Sequence, residues 1–263
     1  MKRNLKLIYF SPTEGTKKIV RAIGDAITKN YEEFNITLPQ NRTETLNFTE
    51  DDLLIIGVPT YAGRFPKVLN EYVEKINCNN SLAIFVTTYG NRDYEDSLLE
   101  LKDIFVDKGA TSLAAATFIA EHSYTDKLAK SRPNLNDLDI AHKFGTSIKN
   151  RLDEIASIDE LNSLSLPGNY PYIVKTSPLS SIAPVTNEAC TNCGICANNC
   201  PTAAIDFENL SVIDSSKCLK CCSCIKKCPV NAKDFIDEGY LNFKAMLISK
   251  FENNICEPEI FIG

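Results

Sequence analysis

Several features typical of other protein classes are absent from this chain of 263 residues. No two of its 11 glycines are spaced as Gly-x-Gly, so the dinucleotide-binding fingerprint is missing, which argues against direct binding of NAD(P)H. No block of like charge stands out among the 28 basic and 34 acidic residues, so a nucleic-acid partner is not expected. No apolar run approaches the length of a membrane span.

The first apolar run, Leu5–Phe10, is short and is interrupted by Lys6. Because it is too short for a secretory signal, we expect a cytoplasmic protein with reduced thiols. Hydrophobic residues make up 44% of the chain and charged residues 24%, which is ordinary for a globular protein with a sizeable core. The length allows one large domain or two smaller ones.

Cysteine, in contrast, is abundant and concentrated. Nine of the 11 cysteines lie between Cys190 and Cys228, where two runs repeat the spacing C-x2-C-x2-C-x3-C-P. The first run is Cys190, Cys193, Cys196 and Cys200, and the second is Cys218, Cys221, Cys224 and Cys228. The similarity continues beyond the cysteines, because Ala204, Asp206 and Phe207 match Ala232, Asp234 and Phe235. This indicates an internal duplication.

Three thiolates spaced two residues apart can surround one side of a cubane cluster, and a fourth from elsewhere completes it. The pattern resembles that of bacterial two-cluster ferredoxins, in which the fourth cysteine of each run binds the other cluster. The resemblance implies two 4Fe–4S clusters, one held by Cys190, Cys193, Cys196 and Cys228 and the other by Cys218, Cys221, Cys224 and Cys200. A pair of structural zinc sites is the alternative, although zinc ligands usually come as separated pairs.

Three further cysteines fall outside this pattern. Cys222 stands where the first repeat has Gly194, so we expect it in a turn and not as a ligand. Cys78 and Cys256 lie outside any metal spacing, and we expect both to be small buried hydrophobic residues.

The preceding part of the chain alternates strand and helix patterns, which predicts a parallel sheet with helices on both faces. The predicted strands are Lys6–Phe10, Phe34–Leu38, Leu53–Val58, Leu82–Thr87 and Leu113–Ala120. A helix with Ile19, Val20, Ile23, Ala26 and Ile27 on one face follows the first strand, and others are expected at Lys67–Lys75, Glu95–Lys108 and Asn136–Ile155.

A turn rich in hydroxyl groups, with Ser11, Thr13 and Thr16, lies between the first strand and its helix. Backbone N–H groups and the helix dipole favour a phosphate at such a position. The alternative is a simple helix N-cap made by Thr13 or Thr16.

Ser11-x-Thr13-x-x-Thr16 resembles the FMN phosphate loop of flavodoxins, and Pro59–Gly63 and Thr88–Tyr94 resemble their two ring loops. This likeness covers roughly residues 1–155, and the whole chain resembles the flavodoxin–ferredoxin fusion proteins of anaerobic microbes. It implies FMN as a third cofactor. The residues expected to hold it are Ser11, Thr13, Glu14, Gly15, Thr16, Pro59, Thr60, Tyr61, Ala62, Gly63, Thr88, Tyr89, Gly90, Asn91 and Tyr94. Glu14 departs from the glycine usual there, and a carboxylate beside a phosphate is unfavourable unless it points to solvent.

Among these residues Tyr61, Tyr89 and Tyr94 are the candidates for contact with the flavin ring, and ordinary packing is the alternative. We expect Arg64 and Arg92 to be solvated and His122 to have a structural role.

The fold class that follows is an α/β flavodoxin-like, doubly wound, parallel five-stranded sheet of order 2-1-3-4-5, followed by a small α+β bacterial two-cluster ferredoxin domain. The expected boundaries are residues 1–156, a linker at 157–187 that lies against the first domain, the ferredoxin domain at 188–236, and a C-terminal helix and tail at 237–263. The helix is expected at Tyr240–Phe251.

Clusters and a flavin in one chain predict an electron carrier that relays electrons between them and to external redox proteins. The alternatives are a ferredoxin-driven, flavin-dependent reductase of a small substrate and a scaffold whose first domain stays empty. A docking surface for the partner is expected at Lys217, Lys220, Lys226 and Lys227, which otherwise form a solvated face.

Overall fold

The computed structural model describes residues 3–155, 157, 160–161, 163–175 and 181–263. Pro178 of the predicted linker lies outside these residues. Among the described residues the strands are β1 (Asn4–Tyr9), β2 (Tyr31–Asn35), β3 (Leu46–Asn47), β4 (Asp52–Pro59), β5 (Ile76–Asn77), β6 (Leu82–Tyr89), β7 (Thr111–Ile119), β8 (Val185–Thr186), β9 (Lys233–Asp234) and β10 (Glu259–Ile262). The α-helices are α1 (Gly15–Ile27), α2 (Asn70–Val73), α3 (Ser97–Asp107), α4 (Leu135–Glu154), α5 (Ile195–Asn198), α6 (Ser223–Lys226) and α7 (Glu238–Phe251).

The central sheet has the order β10-β7-β6-β4-β1-β2. The five strands of this sheet that come first in the chain are parallel to one another, and they are β1, β2, β4, β6 and β7. Counted in chain order they take the predicted order 2-1-3-4-5, which is the flavodoxin-like arrangement. The sheet has a sixth strand, however, because β10 pairs antiparallel with β7 from Glu259 opposite Thr117 to Ile262 opposite Ala114. The prediction of a five-stranded sheet with a C-terminal tail was wrong at this edge.

Helices cover both faces of the sheet, which is why β4 and β6 are apolar along nearly their whole length. On one face α1 and α4 form a core with the sheet, and on the other face α3 does so. Gly145 permits the close approach of α4 to α1, since a Cβ there would lie 2.3 Å from the carbonyl oxygen of Ile23.

Two predicted elements differ from the structure. The second strand begins at Tyr31, three residues before the predicted start at Phe34, because Tyr31 pairs with Leu5 of β1. Residues 67–75 were predicted as one helix, but they form a 3-10 turn (Lys67–Leu69) and the short α2 before the chain turns into β5, which pairs with β3.

The second part of the chain is small and lies beyond the linker. Its two cysteine runs carry the short helices α5 and α6, and β8 pairs antiparallel with β9. The prediction that the linker lies against the first domain is confirmed, because the Tyr172 hydroxyl donates to Asp103 (2.7 Å) and the Ile173 N–H donates to Asp96 (2.7 Å). None of the helices in the described ranges is long and apolar enough to span a membrane.

Candidate metal centres at the carboxyl edge of the sheet

The two cysteine runs fold into the same local structure. In each run a residue with positive φ precedes a short helix: Gly194 (φ 74°) precedes α5, and Cys222 (φ 59°) precedes α6. The sequence thus places a cysteine in a backbone conformation that suits glycine. The Cys222 sulfur lies 3.7 Å from the Tyr240 hydroxyl, and burial raises the pKa of this thiol to about 12. Its absence from the ligand set stays a prediction.

The first predicted ligand set surrounds one cavity. Cys190, Cys193 and Cys196 of the first repeat and Cys228 of the second repeat all line it, together with Lys233. Cys193 is exposed, so this cavity lies at the surface of the molecule.

The second predicted set surrounds another cavity. It is lined by Cys218, Cys221 and Cys224 of the second repeat and by Cys200 of the first, with Ile205 and Phe235 among the apolar residues. Cys221 is buried, and burial raises the pKa of both Cys221 and Cys224. These thiols are therefore neutral without metal, and a bound metal must displace their protons.

Backbone donors reach the fourth sulfur of each run in the same way. The Ala204 N–H donates to Cys200 Sγ (3.3 Å), and the Ala232 N–H donates to Cys228 Sγ (3.1 Å). Such bonds stabilise thiolate charge and are one of the means by which proteins tune iron–sulfur potentials. These alanines are the matching residues that the duplication carried beyond the cysteines.

The first cavity has four cysteines on its wall, and the second has five, because Cys222 lines it beside the predicted four. Four thiols at each cavity fit a 4Fe–4S cluster, because a cubane takes one thiolate on each of its four irons. No group of three His, Cys, Asp or Glu side chains in the described ranges is close enough to hold a single ion. The cavities group Cys228 with the first run and Cys200 with the second, as the resemblance to two-cluster ferredoxins implies, and cluster binding by these cysteines stays a prediction.

The second repeat sits directly on the carboxyl edge of the large sheet. The Ser223 hydroxyl donates to the carbonyl oxygen of Pro12 (2.9 Å), in the loop that follows β1. Lys227 pairs with Glu14 of the same loop (3.4 Å), and Lys226 pairs with Glu121 after β7 (2.5 Å). Ligands of open parallel sheets bind at this edge.

These contacts correct the predicted docking surface. Lys226 and Lys227 are neither solvated nor free for an external partner, because both pair with carboxylates of the first domain. Lys217 pairs with Asp214 (3.5 Å), and Lys220 donates to the carbonyl oxygen of Cys218 (3.2 Å).

The predicted phosphate loop retains part of its expected donor set. The Ser11 hydroxyl accepts the Lys17 N–H (3.1 Å), and the Thr16 hydroxyl pairs with that of Thr88 (2.7 Å). Burial opposes ionisation of Glu14, but Lys17 and Lys227 outweigh it and hold the pKa of this carboxyl below its usual value. Thr13 and Gly15, at the start of α1, are half-buried and can face a phosphate.

The residues predicted around the flavin ring have other partners. Tyr89 and Tyr94 are buried, and the Tyr94 hydroxyl donates to Glu259 (2.9 Å) of β10. Asn91 donates to the carbonyl oxygen of Asn254 (2.9 Å), so the C-terminal segment covers this loop.

The other ring loop turns at Tyr61, whose N–H and carbonyl groups pair with those of Arg64. Burial raises the pKa of Tyr61, and the thiols of Cys221 and Cys222 add to the rise, so this side chain faces the second repeat. The Thr60 hydroxyl pairs with that of Ser97 (2.6 Å). Pro59, Ala62, Gly63, Thr88 and Gly90 complete the two loops at the same edge.

The residues predicted to bind FMN therefore fall into two groups. Those at the start of α1 offer a phosphate site. The three tyrosines expected at the ring contact protein instead: Tyr61 faces the second cysteine run, and Tyr89 and Tyr94 pack against the C-terminal segment. Contact of these tyrosines with an isoalloxazine therefore stays a prediction.

Arg64 and Arg92 were predicted to be solvated, but both are largely covered. Arg64 makes a bidentate pair with Glu100 and lies 4.8 Å above the Tyr172 ring. Arg92 pairs with Glu95. His122 has a structural place, since its Nδ1 accepts the Tyr124 N–H (3.1 Å) and its ring packs on Gly90.

Some residues of the site could not be identified from the sequence. Ser223 binds Pro12, and Tyr124 and Tyr240 pack around Cys222. The sequence offered one sign of a further site residue: Lys233 stands at the position where the first repeat has Ile205.

Comparison with known proteins matches the two cysteine repeats to one family. Residues 183–206 and 211–234 match the 4Fe-4S binding domain family. No curated protein matches the chain. A flavodoxin from the domain Archaea is 15% identical over 57% of this chain and 99% of its own (TM-score 0.40). A Streptococcus pneumonia TIGR4 flavodoxin is 16% identical over 56% and 98% (TM-score 0.41).

Rubredoxin oxygen:oxidoreductase from the anaerobe Desulfovibrio gigas is 13% identical over 58% of this chain and 37% of its own (TM-score 0.37). The strand order itself, and not these scores, assigns the first domain. The chain therefore joins a domain of flavodoxin-like strand order to a 4Fe–4S binding domain with two repeats.

Proposed function

We propose that this protein transfers electrons through two 4Fe–4S clusters and exchanges them with an external redox protein at the first cavity. One observation carries the proposal: each predicted set of four cysteines lines a single cavity, including the cysteine that the other repeat contributes. Bound there, each cluster accepts or releases one electron at a time. The protein holds the two sites close together, excludes water and supplies hydrogen bonds to sulfur.

The two cavities differ in access, which supports an order of transfer. The first contains the exposed Cys193, and Ile195 and Val230 beside it are exposed as well. The second contains the buried Cys221, next to the loop of Ser223 that contacts the first domain. An external partner reaches the first set, and the second set faces the carboxyl edge of the sheet.

The distribution of charge supports a partner with a basic surface. Residues 176–216, which include the first repeat, contain no lysine or arginine but do contain Glu188, Asp206, Glu208 and Asp214. Residues 217–233 contain five lysines and no acidic residue, and two of these lysines pair with the first domain. Complementary charge speeds the encounter of redox partners.

FMN at the carboxyl edge stays a proposal that the start of α1 supports. A ferredoxin-driven, flavin-dependent reductase would need an open ring site, and Tyr61, Tyr89 and Tyr94 there contact protein. The relay through iron–sulfur clusters alone requires no change in these contacts.

Counting the cofactors of anaerobically purified protein tests the proposal. Two cubanes should give eight irons and eight acid-labile sulfides per chain, and dithionite should reversibly bleach the visible absorption of the protein. Stoichiometric zinc, or iron without labile sulfide, would refute it. One FMN per chain would restore the three-cofactor relay, and its absence would leave the two-cluster relay.

A further inference from the structure

One lysine of the second repeat is buried beside the metal sites. Lys233, in β9, is 3% exposed. The duplication aligns it with Ile205 of the first repeat, which is equally buried. The two residues occupy equivalent places, since Lys233 lines the first cavity and Ile205 lines the second. Each cavity thus has one lysine on its wall, but Lys233 at the first is buried, whereas Lys220 at the second is only half-buried.

The ammonium group of Lys233 has only neutral partners. It donates to Thr186 Oγ1 (2.5 Å) and to the carbonyl oxygen of Leu210. Among the ion pairs of the described residues, none includes Lys233. A buried charge without an opposite charge is costly, so its retention calls for a negative group nearby.

The cysteines supply that negative charge once they bind metal. Lys233 lines the first cavity beside Cys190, Cys193, Cys196 and Cys228, and it is not among the residues that line the second. Its charge therefore acts mainly on the first cavity.

We propose that Lys233 is the buried counter-charge of the first cluster and raises its reduction potential. This inference rests on the proposed function. An electron from an external reductant adds one negative charge to the site, and a fixed cation in a low-dielectric interior favours the form that carries it. Lys233 thereby favours an electron at the surface-facing cluster, where a partner can take it.

A purely structural lysine would hold β8 and the Leu210 loop together through its hydrogen bonds and would leave the potentials unchanged. The distinction lies in the charge, so the test uses variants that keep the bulk of the side chain. Lys233→Ile installs the residue of the first repeat, Lys233→Met keeps the chain length, and Lys233→Arg keeps the charge. Lys217→Met is the matched control, because Lys217 lies in the same repeat with its side chain 61% exposed.

The experiment is an anaerobic redox titration of the full chain, followed by electron paramagnetic resonance, with iron and sulfide counted for each variant. In Lys233→Ile and Lys233→Met the potential of one of the two clusters should fall relative to the wild type, so that its reduced-to-oxidised ratio at a fixed potential drops about tenfold, which is about 59 mV for one electron. Lys233→Arg and Lys217→Met should stay near the wild-type values.

Each outcome decides a different point. Unchanged potentials in an eight-iron Lys233→Ile or Lys233→Met protein would overturn the role of Lys233 and leave the two-cluster relay intact. Loss of iron from Lys233→Arg as well as from both neutral variants would overturn it, because a retained charge would then not restore the site. Wild-type protein without labile sulfide would instead refute the proposed function.

Discussion

At the scale of single residues, Ser223 ties the second cluster loop to the first domain. Its hydroxyl lies 2.9 Å from the Pro12 carbonyl oxygen and 3.2 Å from that of Asn199, and the residue is fully buried. Ser223→Ala would leave a buried acceptor without its donor, which costs about 1–3 kcal/mol. We expect a lower thermal midpoint under anaerobic conditions.

The control for this prediction is Ser216→Ala, because Ser216 is exposed and donates only to Asp214. Equal midpoints for the two alanine variants would show that the contact with Pro12 does not hold the domains together.

His122 makes stability depend on pH. Its pKa is lowered from 6.5 to about 4, chiefly by burial and further by the charges of Lys226 and Arg92. The unfolded chain therefore binds the proton first as the pH falls, so this contribution is complete above pH 6.5 and is lost towards pH 4, at about 1.4 kcal/mol per pH unit. Between pH 7 and pH 5, the free energy of unfolding measured with a denaturant should fall less in His122→Gln than in the wild type. Equal decreases in the two proteins would contradict the assignment.

The cysteine residues were the most predictable part of the site, because their spacing is local and chemically specific. Tyr89 and Tyr94 were not, since the residues that cover them come from the far end of the chain. Glu259, for example, bonds Tyr94 across 165 positions of sequence. Short-range patterns cannot reveal such a partner.

At the scale of elements, Arg132 joins the loop after β7 to the start of α4 and to the C-terminal segment. Its guanidinium pairs with the fully buried Asp137 and donates to the carbonyl oxygen of Cys256 (2.7 Å). Removing one partner of such a pair leaves an uncompensated buried charge, which costs about 3–5 kcal/mol. We expect that loss in Arg132→Met, measured by denaturant unfolding.

Lys143→Met is the matched control on the same helix, because Lys143 and Asp139 form an exposed pair, for which about 0–1 kcal/mol is typical. Similar losses in the two variants would show that the buried pair is no more important than a surface one.

The elements that could be predicted have strong local signals. The buried strands β1, β4, β6 and β7 are long apolar runs, and α4 begins with a capping box of Asn134 and Asp137. β10 has only four residues, and its place is set by pairing with β7, so its sequence alone did not separate it from a tail. For the same reason α2 was predicted too long, because the pairing of β5 with β3 ends it.

At the scale of the whole molecule, the two cysteine sets lie at different depths. The acidic first repeat presents Cys193 to solvent, while the lysines of the second repeat hold it against the edge of the large sheet. The order of the two domains followed from the sequence, but their mode of contact did not, because Lys226 and Lys227 read equally well as a docking surface.

The most direct test of electron entry through the first cavity compares Cys193→Ser with Cys222→Ser. The Cys222 variant should keep eight irons and the wild-type rate of reduction by a reduced ferredoxin, since Cys222 is not expected to bind metal. The Cys193 variant should lose the first cluster, keep a second cluster that dithionite still reduces, and accept electrons from the ferredoxin much more slowly. Reduction by the ferredoxin at the wild-type rate in a Cys193 variant that lacks the first cluster would contradict the account.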